Sequence, residues 1–255
     1  MPEERTPAAP QYSVNPEEQV WDRLLKGVDP ATVEDLHCDF EEFDSLELER
    51  FPNLISLDCS YNEVMQLDLR PALRLAELDC SHNALPELDV SVAPHLRYLW
   101  CGANELEILR MGILNDLRIL NCTENALTSL SIEDSPNLRL LNCSYNAIET
   151  LNLSGAAGLQ ELHVEHNQLE RLDLSGLAGL KTLRAQANPL LLLDIRGLDA
   201  LKTLEVDQEV GIIGRIPDGC EVIRYARPNT MKVDLDAAMN EAQSRESPRS
   251  DWRGP

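Results

Sequence analysis

The sequence predicts a curved α/β-type repeat solenoid with a parallel β-sheet along its concave face. Three observations carry this expectation. Asn62, Asn83, Asn104, Asn125, Asn146, Asn167 and Asn188 recur one every 21 residues without insertion or deletion. An apolar framework travels with them, each unit reading LxxLx(C/V/A)xxNx(apolar)xx(L)x(apolar), as in "LISLDCSYNEVMQLDL" and "LQELHVEHNQLERLDL". Aromatic residues make up only 4% of the chain, so leucine has to fill the interior. Self-similarity at a fixed short period means one supersecondary unit stacked on its copies, each burying its apolar face against the next.

Taken in order, the first 14 residues, "MPEERTPAAPQYSV", hold nothing that buries area and read as a disordered tail. Residues 15–31 contain the pattern of a capping helix. Asn15 stands as N-cap, Pro16 in the first turn, Glu17 and Glu18 toward the positive helix end, and Gly27 as stop. Val20, Trp21, Leu24 and Leu25 share one face, which is expected to cover the open end of the first coil. The solenoid runs over residues 32–210 in about nine coils. Its first coil keeps Val33, Leu36, Cys38, Phe43, Leu46 and Leu48 but has Glu41 in the asparagine slot. Its last keeps Leu201, Leu204 and Val206 but has Glu209 there and Gly211 at an apolar position. Terminal coils lack one neighbour, so such departures mark the ends. Residues 211–240 read as a C-terminal cap with a strand from Glu221 to Tyr225 and a short helix in "DLDAAMNEAQSR", followed by a flexible tail over 241–255.

Phase assigns the cysteines. Cys38, Cys59, Cys80, Cys101, Cys122 and Cys143 all occupy the sixth position of the coil, which later coils fill with Val164, Ala185 and Val206. Interchange with valine and alanine defines a small buried apolar slot. Neighbouring coils stack about 4.8 Å apart with side chains parallel, whereas a disulfide needs Cβ atoms about 3.8 Å apart and facing each other. The expectation is a stack of inert core thiols, in keeping with a reducing compartment. Cys220, out of phase, is the candidate for an exposed thiol. The asparagines are expected to turn inward and satisfy backbone groups that a tight bend leaves orphaned.

Function then falls to the outward positions of each strand. The second-position column carries Arg97, Arg118, Arg139, Lys181 and Lys202, in a chain with 44 acidic and 22 basic residues. The third-position column brings Tyr98, Ile119 and Leu140 together, the fifth holds Trp100, and the eighth, on the rim, holds Tyr61 and Tyr145. Trp, Tyr and Arg are enriched at binding hot spots, and a contiguous apolar patch on an acidic surface needs a reason. The expected protein-binding surface is therefore Tyr61, Arg97, Tyr98, Trp100, Arg118, Ile119, Arg139, Leu140 and Tyr145, with Asp58, Glu77 and Asp79 as an acidic flank.

Catalytic motifs are thin. The sequence has no GxSxG elbow, no GxxxxGK[ST] loop, no HExxH and no paired CxxC. "HVEH" at His163–His166 offers two histidines where a structural zinc site wants four ligands, so it reads as a solvated pair. No enzyme activity, cofactor or metal is expected. The net charge of −22 argues against nucleic acid and anionic membranes as partners and for solubility as a monomer. With no signal-peptide pattern and no apolar run of spanning length, a cytoplasmic location is expected.

The units "LDCSYNEVMQLDLR" and "LNCSYNAIETLNLS" resemble bacterial leucine-rich-repeat proteins of the 21-residue type, with recurring LxCxxNxLxxLDLS. The resemblance covers Thr32 to Glu209. It implies a non-catalytic module that binds a protein on its concave face, including delivery as an effector by a specialised secretion system. One branch of such proteins adds a ubiquitin-ligase domain, which the roughly 45 residues after the last coil do not match. The alternative function is an acidic inhibitor or immunity-type protein that neutralises a basic toxin or nuclease, with electrostatic steering of association.

Overall fold

The structure, a computed structural model, describes residues 16–226. The tail expected over 1–14, the Asn15 cap, and everything expected of 227–255, including the helix in "DLDAAMNEAQSR", lie outside those residues.

Ten parallel strands form one sheet in chain order: Asp35–His37, Ser56–Asp58, Glu77–Asp79, Tyr98–Trp100, Ile119–Asn121, Leu140–Asn142, Glu161–His163, Thr182–Arg184, Thr203–Asp207 and Glu221–Tyr225. Through the ninth strand each pairs with the residues 21 positions on, so Leu57, Leu78, Leu99, Leu120, Leu141 and Leu162 lie side by side. Alternation along a strand does the rest. The middle leucine of each triplet points inward and is sealed from solvent, while the flanking residues face the concave surface.

Each strand ends in a turn with an invariant backbone. The eighth residue of eight successive coils, Phe40, Tyr61, His82, Ala103, Glu124, Tyr145, His166 and Ala187, sits in the left-handed region with φ between 52° and 57°. Such a φ is uncommon for a residue with a Cβ and unfavourable for an aromatic. Here the next residue repays it, because the reversal drives the asparagine side chain inward. Asn125 Nδ2 donates to the carbonyls of Cys101, Cys122 and Thr123 at 3.0, 3.1 and 3.1 Å, and its Oδ1 accepts from Leu106 N at 3.0 Å. Asn62, Asn83, Asn104, Asn146, Asn167 and Asn188 repeat the pattern.

The core is one continuous column of leucines with the six cysteines beside them, all six reduced and at most 1% exposed. Burial pushes their thiols up, Cys38 and Cys122 to about 12. Cys220 is half-buried, packed against the end of the core rather than free on the surface. The far side of each coil was not spelled out by the repeat pattern. Besides single turns, it forms three short parallel pairs: Glu87–Asp89 with Ile108–Arg110, Ser129–Ser131 with Thr150–Asn152, and Leu192–Asp194 with Gly211–Ile213. A 21-residue coil leaves too little chain after the strand and turn for a helix of useful length, so extended segments close it instead.

At the N-terminal end the helix Pro16–Leu25 covers the first coil. Trp21, 6% exposed, stacks on Phe43 with ring centroids 4.7 Å apart and tilts against Phe51 at 5.3 Å. Val20, Leu24 and Leu25 pack around it. Gly27, at φ 81°, ends the helix in a conformation glycine adopts at no steric cost. Glu41, which stands in the asparagine slot of the first coil, binds Arg23 of the helix. At the other end the expected strand Glu221–Tyr225 closes the sheet, and Arg224 Nη1 caps the carbonyls of Asp207, Gln208 and Val210. Among the described residues no helix is long and apolar enough to cross a membrane.

Candidate protein-docking face

The register sets Tyr98, Ile119 and Leu140 in one row and Trp100, Asn121 and Asn142 in the parallel row. Tyr98 and Trp100, two apart on one strand, point the same way and stack with ring centroids 5.8 Å apart and planes 13° from parallel. All four apolar side chains are half-buried, with one side on the sheet and the other open to the concave space. Arg97, Arg118 and Arg139 form the next column. Their backbones are linked by N–H to carbonyl bonds of 2.8 and 2.9 Å, so their positions are fixed at the pitch of the sheet. The three side chains are exposed, and no ion pair engages them among the described residues. Farther along the same column, Lys181 Nζ donates to Gln160 Oε1 at 2.8 Å.

Tyr61 and Tyr145, expected on the rim of this patch, sit in the turns after their strands on left-handed backbones. Tyr61 is held in an aromatic stack of its own, 4.4 Å from Phe40 and 4.1 Å from His82 between ring centroids, and belongs to the second coil. Tyr145 stacks on His166 at 4.3 Å. Of the "HVEH" residues, His166 thus lies in the turn against Tyr145, while Glu165 is buried and His163 is half-buried on the sheet. Burial lowers the His163 imidazole from its ordinary value, with Arg184 adding to the effect and Glu165 opposing it.

The acidic flank is in place. Asp58 and Asp79 each accept from the backbone N–H and hydroxyl of the serine two residues on, Ser60 at 3.1 and 2.7 Å and Ser81 at 3.0 and 2.6 Å. At its outer end, His37, Asp39 and Asp58 bring ligand-capable atoms within 4.8 Å of one another. Reading along the chain missed this group. Its signal lay across coils, where the fifth-position column runs His37, Asp58, Asp79.

The chain is thus a leucine-rich-repeat solenoid. No protein-family model and no curated protein matches the sequence. Solved structures do match it. The leucine-rich effector protein YopM from Yersinia pestis shares 26% identity at a TM-score of 0.63, over 80% of this chain and 57% of that one. The functional domain of InlJ from Listeria monocytogenes, described as including a cysteine ladder, shares 24% identity at a TM-score of 0.50, over 78% of this chain and 56% of that one. The leucine-rich-repeat domain of LRIM1 shares 20% identity at a TM-score of 0.51, over 68% of this chain and 67% of that one. The chain spans little more than half the length of the first two. These likenesses support the fold.

Proposed function

We propose that this protein binds a protein partner on the central concave face, with Tyr98, Trp100, Ile119 and Leu140 as the apolar centre and Arg97, Arg118 and Arg139 as the polar edge. The observation that carries the reading is the coincidence, on three consecutive coils, of half-buried apolar side chains with arginines that no carboxylate among the described residues engages. In a chain of net charge −22 this exposed column is a local cationic strip, complementary to carboxylates that a partner presents. The matching partner surface presents an aromatic or aliphatic knob flanked by Asp or Glu. The module acts by binding and not by catalysis. An effector delivered into another cell would use the face in the same way.

The test is capture from lysate with the wild-type chain beside a Trp100→Ala, Arg118→Glu double variant of equal thermal stability. Partners recovered by the first and lost with the second support the reading. Identical recovery by both would overturn it. A partner seated on this apolar centre should also associate at rates only weakly dependent on salt, whereas a basic toxin drawn to the acidic surface would lose association rate steeply.

A further inference from the structure

We propose that the first two coils carry a surface metal site, in which His37, Asp39 and Asp58 bind one divalent transition-metal ion of the zinc class. The three residues come from two adjacent strands and one turn. In-register pairing sets His37 directly opposite Asp58, and Asp39 follows two residues after His37, so no single stretch of sequence contains the site.

The contacts of the imidazole are what point to a cation. His37 Nδ1 lies 3.8 Å from Asp58 Oδ2, and His37 Nε2 lies 3.5 Å from Asp35 Oδ1. Both distances exceed a hydrogen bond to a ring nitrogen. Neither nitrogen is therefore held by a carboxylate hydrogen bond, and the 3.8 Å gap between Nδ1 and Asp58 Oδ2 is wide enough for an ion to bridge a ring lone pair and the carboxylate. With bonds of about 2.1 Å, a 3.8 Å separation subtends about 130° at the metal, within reach of tetrahedral geometry after a few tenths of an ångström of adjustment by exposed side chains.

The surroundings fit the same reading. Asp35, against the other nitrogen, stands where a metal-bound histidine places its orienting carboxylate. Asp58 is already fixed through Oδ1 by Ser60 N and Oγ, which leaves Oδ2 to point outward. One nitrogen and two carboxylate oxygens form a borderline ligand set. That set suits Zn2+ over Ca2+, which takes six or more oxygens. Three protein ligands leave the remaining position to water or to a donor from another molecule. The site is independent of the docking face, which begins two coils farther on.

Isothermal titration of the metal-free full-length chain with ZnCl2 tests this, with CaCl2 and CoCl2 as comparisons. The expected result is one saturable equivalent of Zn2+, bound at least tenfold more tightly than Ca2+, and visible absorption from the Co2+ form. His37→Ala and Asp58→Asn should each weaken Zn2+ at least tenfold, while His163→Ala leaves it unchanged. Urea unfolding of the metal-free variants, with midpoints matching the wild type, separates lost ligands from lost structure. Absence of saturable uptake, equal uptake of Ca2+, or uptake that survives both His37→Ala and Asp58→Asn would overturn the proposal.

Discussion

Raising the pH should unfold this protein through its own core. The six stacked thiols are buried, and their folded-state values stand above the ordinary 9.0, at about 12 for Cys38 and Cys122. The unfolded chain therefore releases these protons first. Stability is fully present below about pH 9 and is lost as pH rises toward 12, because in that window the unfolded state binds fewer protons than the folded one. Each thiol costs about 1.4 kcal/mol per pH unit there, so six cost about 8 kcal/mol per unit. A domain of ordinary stability holds about 5–15 kcal/mol in total, and unfolding is expected within about one to two units above pH 9. The assay is urea unfolding by circular dichroism from pH 8 to 11 in a phosphine reductant. It is run beside a chain carrying Cys38→Ala, Cys59→Ala, Cys80→Ala, Cys101→Ala, Cys122→Ala and Cys143→Ala. That chain starts less stable, having lost six sulfur atoms from the core, but shares every lysine and tyrosine and hence the same growth of surface repulsion. Its stability should fall much less steeply over the window. Equal slopes would show that the thiols are not the cause.

Four further outcomes follow from the same structure. Asn125→Ala leaves Leu106 N without its acceptor, while the carbonyls of Cys101, Cys122 and Thr123 each keep another donor. The expected loss is about 1–3 kcal/mol, read from the urea midpoint together with faster hydrogen exchange at Leu106. Trp21→Ala removes the ring sandwiched on Phe43 and Phe51 and should cost about 3–5 kcal/mol, with amide exchange rising first over residues 33–53. Gly155→Ala would put a Cβ 1.6 Å from the Glu133 carbonyl oxygen, whereas at Gly179 the nearest atom is 3.6 Å away. The first should lower the melting temperature by several degrees and the second should barely move it. A chromogenic disulfide reagent at pH 7.5 should react with the folded chain at Cys220 alone, slowly because that thiol is half-buried, and with seven thiols after unfolding.

How much of this could be read from the sequence depends on the direction of the neighbour. Periodicity places a residue in a column, and a parallel register then makes the column physical. The inward leucines, the cysteine stack, the asparagine bonds, the Trp21 face of the helix and the row of Tyr98, Ile119 and Leu140 were therefore legible before any coordinates. What a period does not encode is the dihedral angle at the end of the strand. The rim position of Tyr61 and Tyr145 follows from the eighth place in the unit, but the left-handed turn that holds them there and the rings they stack on do not. There they stack on Phe40, His82 and His166 and stand apart from Trp100. Nor does a search along the chain find ligands 21 residues apart. The histidines of "HVEH" are close in sequence but stand on different parts of the coil, His163 on the sheet and His166 in the turn, whereas His37 and Asp58 meet across the sheet. The paired segments of the far side were hidden for a third reason. Their alternation, as in "ELDV", is too short to separate a strand from a turn until the neighbouring coil is in place.

The asparagine bonds all point one way. Each Nδ2 reaches the carbonyl 24 residues back and each Oδ1 takes the N–H 19 residues back, so every coil fastens itself to its predecessor and carries nothing for its successor. The first coil has no predecessor to clasp, and there the slot holds Glu41, which reaches the helix. An assembly built from such one-sided clasps can be lengthened as it leaves the ribosome, since each newly made turn brings its own fastening. It can likewise be shortened from its C-terminal side without stranding a single clasp, whereas removing a turn from the N-terminal side strands one at once.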